Sequence, residues 1–167
     1  MPQPPAILQV LPALDAGGVE RGTLEIAEAI IGAGYRALVA SAGGRLVPEL
    51  EALGARHIAL PLGAKTPWAI ARNAAALAEL ARMEGVALIH ARSRAPAWAG
   101  LLAARRSGVR FVTTYHGTYS EGFPGKRLYN SVMARGERVI AISGFIARHV
   151  AATHGTDPAR IRTILRG

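Results

Sequence analysis

Residues 6–22, AILQVLPALDAGGVERG, combine the signals of a strand, a glycine turn and a helix. The apolar run at 6–11 predicts a buried strand, and small or apolar residues at helical spacing predict a helix over 18–32. Between them stand Gly17 and Gly18, where the absence of Cβ lets a ligand approach the backbone. The N–H groups at a helix N-terminus converge, and the helix dipole favours negative charge. The stretch therefore predicts an anion site at Gly17–Gly18; a tight turn without a ligand is the alternative.

The same alternation of apolar runs and helical patterns continues to the end of the chain. Further strands are predicted near 35–41, 56–60, 86–89, 109–115, 138–142 and 161–165. Helices are predicted near 46–53, 67–84, 95–107, 126–135 and 144–153. This order predicts an α/β fold: a Rossmann-like parallel sheet of about six to seven strands with helices on both faces. Ligands of such sheets bind at the carboxyl ends of the strands.

Composition narrows the class of protein. The 167 residues fit a single domain over 1–167, and the absence of cysteine excludes a disulfide scaffold. The net charge of +9 is compatible with a solvated basic surface, an anionic substrate or anionic lipid headgroups. No basic patch is interleaved with aromatic residues, so we expect no nucleic-acid partner. No run of 18 apolar residues occurs, so we expect no membrane-spanning helix.

Two glycine-containing segments resemble nucleotide-binding motifs but lack residues that those motifs require. The spacing Gly17-Gly18-x3-Gly22 differs from the dinucleotide fingerprint, and the second strand ends without an acidic residue. Gly117-x4-Gly122 has the glycine spacing of a P-loop, but Phe123 stands where lysine is required. We therefore expect no nicotinamide or flavin cofactor and no P-loop ATPase. We also expect no metal, because no cluster of histidines and carboxylates has ligand spacing.

Histidines follow two of the predicted strands. His116 comes directly after the strand over 109–115, where a neutral imidazole can donate or accept a proton. His90 ends an earlier strand, and Arg92 and Arg94 follow it in a loop suited to a phosphate or a carboxylate. The alternatives are a structural histidine and a solvated loop.

Three further polar residues stand at predicted helix starts. Ser143 opens the last helix, where capping explains it and the free N–H groups also suit a ligand. Glu20 and Arg21 lie in the first turn after the glycines, either as ligand contacts or as surface residues.

In their order and spacing these motifs resemble the N-terminal domain of GT-B-fold glycosyltransferases, and above all the retaining family 4 group. The likeness covers essentially the whole chain. The matching segments are the strand leading to Gly17–Arg21, then Leu88–Ala91, Val112–Gly117 and Val139–Ser143, with Ile164–Gly167 similar to the crossing into a second domain.

This resemblance implies roles for the candidate residues. Gly17, Gly18 and Gly117 would approach a nucleotide-diphosphate sugar donor, and His116, the catalytic candidate, would lie close to the reacting sugar. Contacts to the acceptor would come from Glu20, Arg21, His90, Arg92, Arg94 and Ser143. The donor is a substrate, and neither a metal nor another cofactor is expected. The C-terminal donor-binding domain is absent from these 167 residues, so we expect the piece to be inactive alone.

The resemblance also implies a reaction. The whole enzyme would move a hexose-type sugar to a cell-envelope lipid or saccharide, as in lipopolysaccharide biosynthesis. We expect a cytoplasmic protein whose charge suits peripheral docking on the anionic inner membrane face. Two alternatives stay open: one half of a nucleotide-sugar epimerase, and a non-catalytic Rossmann-like module that binds an anionic ligand.

Overall fold

The computed structural model describes residues 1–166. Its seven strands are β1 (Ala6–Val10), β2 (Arg36–Ser41), β3 (Arg56–Ala59), β4 (Val86–Ala91), β5 (Arg110–Tyr115), β6 (Arg138–Ala141) and β7 (Ile161–Thr163). Its six α-helices are α1 (Gly18–Gly32), α2 (Val47–Ala52), α3 (Pro67–Glu84), α4 (Arg94–Ser107), α5 (Lys126–Asn130) and α6 (Gly144–His154). Short 3₁₀ turns follow at Ser131–Ala134 and Pro158–Arg160.

All seven strands form one parallel sheet in the order β3-β2-β1-β4-β5-β6-β7. This confirms the predicted Rossmann-like α/β fold. The chain first builds outward from β1 through β2 to β3, then crosses back and continues from β4 on the other side of β1. The order therefore reverses between β1 and β4, and the carboxyl ends of these strands form the crevice where open α/β sheets bind ligands.

Two apolar clusters cover the two faces of the sheet. In β1, Leu8 and Val10 point into the cluster that contains α3, α4 and α6, whereas Ile7 packs in the cluster of α1 and α2. This alternation is the period-two pattern of a strand buried on both sides. Half-buried Ile140 of β6 and Ile142 directly after it line a small pocket together with Gly22 and Ile26 of α1.

Three predicted elements differ from the structure. The strand expected over 86–89 continues to Ala91 as β4. The helix expected over 126–135 is α5 followed by the 3₁₀ turn at Ser131–Ala134. Ser131 Oγ donates to the Leu128 carbonyl (2.6 Å), and the Met133 carbonyl accepts from Thr113 Oγ1 (2.6 Å). These bonds take backbone groups away from an α-helical ladder and tighten the turn.

The last strand ends at Thr163, two residues before the expected end at 165. The Ile164 N–H still donates to the Ala141 carbonyl (2.9 Å), after which the chain leaves the sheet. Of the segment expected to cross into a second domain, Ile164–Arg166 is described, and Gly167 lies outside the described residues.

Candidate active site

The loops after β1, β4 and β5 meet at the carboxyl edge of the sheet because these strands are neighbours. Gly17 lines one pocket there, together with Asp15, Arg21 and Arg45. Arg92 and His116 line two others. The Gly117 pocket, about 260 Å³, also includes Val19, Glu20 and Gly117. The Arg166 pocket, about 160 Å³, also includes Gly22, His90, Thr114 and Arg166. The start of α1 and the loop after β5, far apart in sequence, thus share one edge.

The turn into α1 depends on its glycines. Gly17 is the N-cap residue with φ of 143°, a conformation that residues with a side chain rarely adopt. A Cβ added to Gly18 would lie 2.7 Å from Nη1 of Arg166, so the guanidinium rests against the bare backbone of this turn. Glu20 reaches back over the turn, since its Oε2 lies 2.6 Å from the position of a Cβ on Gly17.

His116 is buried at its polar atoms without a hydrogen-bond partner. Among the described residues, neither Nδ1 nor Nε2 of its ring has a partner, and both are shielded. Burial is the main reason that the pKa of His116 falls to about 4, and the nearby Arg92 and Arg166 charges lower it further. The ring is therefore neutral at pH 7, with one donor and one acceptor free for a ligand.

Arg92 is an arginine held almost wholly inside the protein, with 5% of its surface exposed. Its Nε donates to Oε1 of Gln9 on β1 (2.8 Å), and Nε2 of Gln9 donates to the Thr23 carbonyl on α1 (3.0 Å). Burial first, and then Arg166, lower the pKa of Arg92 to about 10, while Glu25 acts in the opposite direction. Arg92 thus remains charged at pH 7 and is fixed in place between β1, β4 and α1.

His90 lies behind this group at the end of β4. It is buried, and its Nε2 lies 2.6 Å from Oγ1 of Thr114 on β5. Burial, followed by the charges of Arg92 and His116, holds the pKa of His90 well below its usual value. His90 therefore lines the Arg166 pocket as a neutral, hydrogen-bonded ring.

The remaining sequence candidates point elsewhere. Arg94 donates to Oδ1 of Asn130 (2.7 Å) and stacks on the Tyr119 ring with Cζ 4.4 Å from the centroid, so it turns away from Arg92. Arg21 forms an exposed ion pair with Glu49 on α2 (2.7 Å). Ser143 caps α6, as its sequence position predicts: its Oγ accepts from the Ile146 N–H (3.1 Å).

The family model for glycosyltransferase family 4 matches residues 16–167. The chain belongs to glycosyltransferase family 4. A glycosyltransferase from Rickettsia africae is 40% identical to this family 4 chain, and the match, with a TM-score of 0.85, covers 98% of this chain and 43% of the other. No curated protein matches the chain.

Two more distant structures share the fold. The Anabaena protein HepE, in complex with UDP and glucose, is 22% identical with a TM-score of 0.74, over 96% of this chain and 44% of its own. A UDP-GlcNAc 2-epimerase from Methanocaldococcus jannaschii is 11% identical with a TM-score of 0.64, over 95% of this chain and 45% of its own. The family 4 chain thus spans less than half the length of each of these structures.

Sequence reasoning did not assign Gln9 or Arg166 to the site of this family 4 chain. Gln9 carries a visible signal, because a glutamine inside the apolar run of β1 needs a buried hydrogen-bond partner. Arg166 carries none, since only the topology brings the end of β7 back beside α1.

Two other features of the family 4 chain concern metal binding and membrane crossing. Across residues 1–166, no three histidine or acidic side chains converge in a way that could hold a metal ion. Over the same residues, no helix combines the length and the apolar character needed to cross a bilayer.

Proposed function

We propose that this chain is the acceptor-side, N-terminal half of a retaining glycosyltransferase. The whole enzyme moves a hexose-type sugar from a nucleotide-diphosphate sugar to a lipid or saccharide acceptor of the cell envelope. Family membership supports sugar transfer, and the UDP and glucose bound by HepE support a nucleotide-sugar donor. The observation that carries the proposal is the unpartnered ring of His116, which shares a pocket with Val19 and Glu20, the residues that directly follow Gly17 and Gly18.

In this proposal each part of the edge has a task. The free N–H groups at the start of α1 hold a donor phosphate oxygen, which the bare backbone of Gly17 and Gly18 allows to come close. The neutral ring of His116 donates a hydrogen bond to a hydroxyl of the reacting sugar and so fixes its orientation. Arg92 lies beside it as a fixed positive charge that stabilises the diphosphate as it leaves.

The proposal includes no metal and no further cofactor. In this proposal, arginine side chains and the N-terminus of α1 offset the negative charge that develops on the leaving diphosphate. Gly117 next to His116 lets the donor approach that loop, and the same pocket reaches Glu20.

Location is a separate part of the proposal. We place the protein in the cytoplasm, bound peripherally to the inner membrane face. The net charge of +9 supports this, since each basic residue near an anionic surface contributes about 1 kcal/mol. Cosedimentation with vesicles at low salt tests it: equal binding to vesicles with and without anionic lipid contradicts it.

The transfer reaction is tested in a protein that joins this chain to a second domain. We expect His116→Ala to reduce kcat for sugar transfer by about 10²-fold or more, because a positioned donor at the reacting group is lost. The control His149→Ala removes an imidazole from α6, outside both pockets, and leaves kcat unchanged. Unchanged turnover of His116→Ala would remove this residue from the mechanism.

Product analysis separates the alternatives. An epimerase converts the nucleotide sugar without an acceptor, whereas a transferase releases the nucleotide diphosphate only as the acceptor is glycosylated. A binding module does neither. The likeness to the epimerase, at 11% identity, concerns the fold alone and does not favour that activity.

A further inference from the structure

The Arg166 pocket contains more positive charge than its own acidic groups offset. Arg92 and Arg166 both line it, and Glu25 is the carboxylate beside them. None of the five ion pairs formed within residues 1–166 includes any of these three side chains. Arg92 is 5% exposed, and a buried charge that forms no ion pair is costly for a protein to maintain.

The two guanidinium groups converge on one point. A Cβ on Gly22 would stand 3.5 Å from Nη1 of Arg92 and 3.5 Å from Nη2 of Arg166. The two nitrogens are therefore separated by at most twice that distance, with the side-chain-free surface of α1 beside them. An oxygen of a phosphate or a carboxylate between them would accept hydrogen bonds from both arginines, and such charge-assisted bonds are the strong ones.

The donors of this pocket are fixed before any ligand arrives. The Arg92 side chain makes one hydrogen bond within the described chain, from Nε to Gln9, which leaves its terminal nitrogens to face the pocket. His116 adds a ring whose nitrogens are buried and unpartnered. Behind them, Nε2 of His90 is hydrogen-bonded to Oγ1 of Thr114 (2.6 Å), which occupies that ring nitrogen.

The rest of the lining is mainly aliphatic. It consists of Ile26 of α1, Ile140 of β6, Ile142 directly after β6, and Ile164 and Leu165 after β7. Low polarity in this lining strengthens the attraction between the arginines and an anion, because less water screens the charges.

We propose that Arg92 and Arg166 form a binding site for an oxyanion in the Arg166 pocket, next to His116. The ligand group is a phosphate or a carboxylate. Its source is either the donor diphosphate or an anionic group of the acceptor, and only this choice of source rests on the proposed function. Arg166 supplies the second cation, and Gly22 leaves room for the ligand.

Inorganic phosphate is the probe for this site. The protein is titrated with phosphate at constant ionic strength, and binding is followed by isothermal titration and by the ring resonances of His116. We expect saturable binding that shifts these resonances. Arg166→Ala, an exposed position whose loss leaves the core intact, should weaken phosphate binding at least about tenfold.

Two further variants keep the test specific. Arg162→Ala removes an exposed arginine of β7 that bonds only to nearby carbonyls, and phosphate should bind as it does to the parent. Arg92→Lys retains the charge but loses the two-nitrogen geometry, so binding should again weaken. Circular dichroism checks that each variant is folded. Equal phosphate affinity of the parent and Arg166→Ala, or no binding to the parent, overturns the proposal.

UDP identifies the source of the anion. Displacement of phosphate by UDP assigns the site to the donor diphosphate, and simultaneous binding of both assigns it to the acceptor. Either result follows a positive phosphate titration, which does not depend on sugar transfer. Sugar transfer without phosphate binding would refute the oxyanion site alone. Phosphate binding without sugar transfer would refute the proposed function alone.

Discussion

The half-buried ring of His116, whose two nitrogens are shielded from solvent, should make the stability of the protein depend on pH in a specific window. Its pKa is about 4 in the folded protein, compared with 6.5 for an unperturbed histidine. Above pH 6.5 the ring is neutral in both states, so it has no effect. As the pH falls from 6.5 to 4, the unfolded chain takes up a proton that the folded protein does not, and the free energy of unfolding decreases.

The size of this effect follows from the two pKa values. From pH 7.5 to pH 5.0, these pKa values lower the free energy of unfolding by about 2 kcal/mol. Because water has partial access to the ring, we expect a decrease of about 1–2 kcal/mol. His116→Gln removes the titrating group but retains a polar side chain. Between pH 7.5 and 5.0 this variant should therefore lose about 1–2 kcal/mol less stability than the parent.

Urea denaturation at both pH values measures the difference. Thr118→Ala is the control, because it changes an exposed residue of the same loop and removes no titratable group. It should lose as much stability between the two pH values as the parent does. If His116→Gln loses as much stability between the two pH values as the parent does, His116 protonates freely in the folded protein, and its ring nitrogens are not shielded from water.

Three other substitutions test the local structure by urea denaturation. Gly17→Ala should cost about 1–3 kcal/mol, because φ is 143° and the new Cβ would meet Glu20; an unchanged midpoint would contradict this turn. Gly22→Ala should stabilise α1 by about 0.5–1 kcal/mol, because the new Cβ makes only ordinary van der Waals contacts. The same variant should weaken phosphate binding. A loss of stability would mean that the space beside Gly22 is smaller than described. Ser143→Ala should cost about 1 kcal/mol through the lost cap to Ile146, whereas no loss would show that the hydrogen bond is not formed.

The sequence predicts the layered fold well because each element carries its own signal. The run at 6–11 alternates between two buried faces, and glycines stand where helices end, as Gly85 does after α3 with φ of 63°. These local preferences are kept in the folded protein because tertiary packing favours the same secondary structure. The 3₁₀ turn within 126–135 is not predictable from local sequence, because the hydrogen bond from Thr113 to the Met133 carbonyl comes from β5, a distant strand.

The candidate site is predicted less completely for the same reason. Strand ends and glycines indicate where Gly17, His116 and Arg92 lie. The direction of a side chain in a loop depends on its neighbours, and Arg94 turns to Asn130 although it stands two residues from Arg92. The bond between Gln9 and Arg92 joins residues 83 positions apart, which no local pattern encodes.

The proposed function requires that the Gly17–Gly18 turn and His116 contact the same donor molecule. A crystal structure of the protein joined to a second domain, with an unreactive nucleotide-sugar analogue bound, tests this arrangement. We expect a sugar hydroxyl at hydrogen-bond distance, about 2.7–3.2 Å, from a ring nitrogen of His116, and a diphosphate oxygen against the N–H groups of Gly17–Gly18. A bound analogue that leaves both ring nitrogens unpartnered and the glycine turn empty would contradict it.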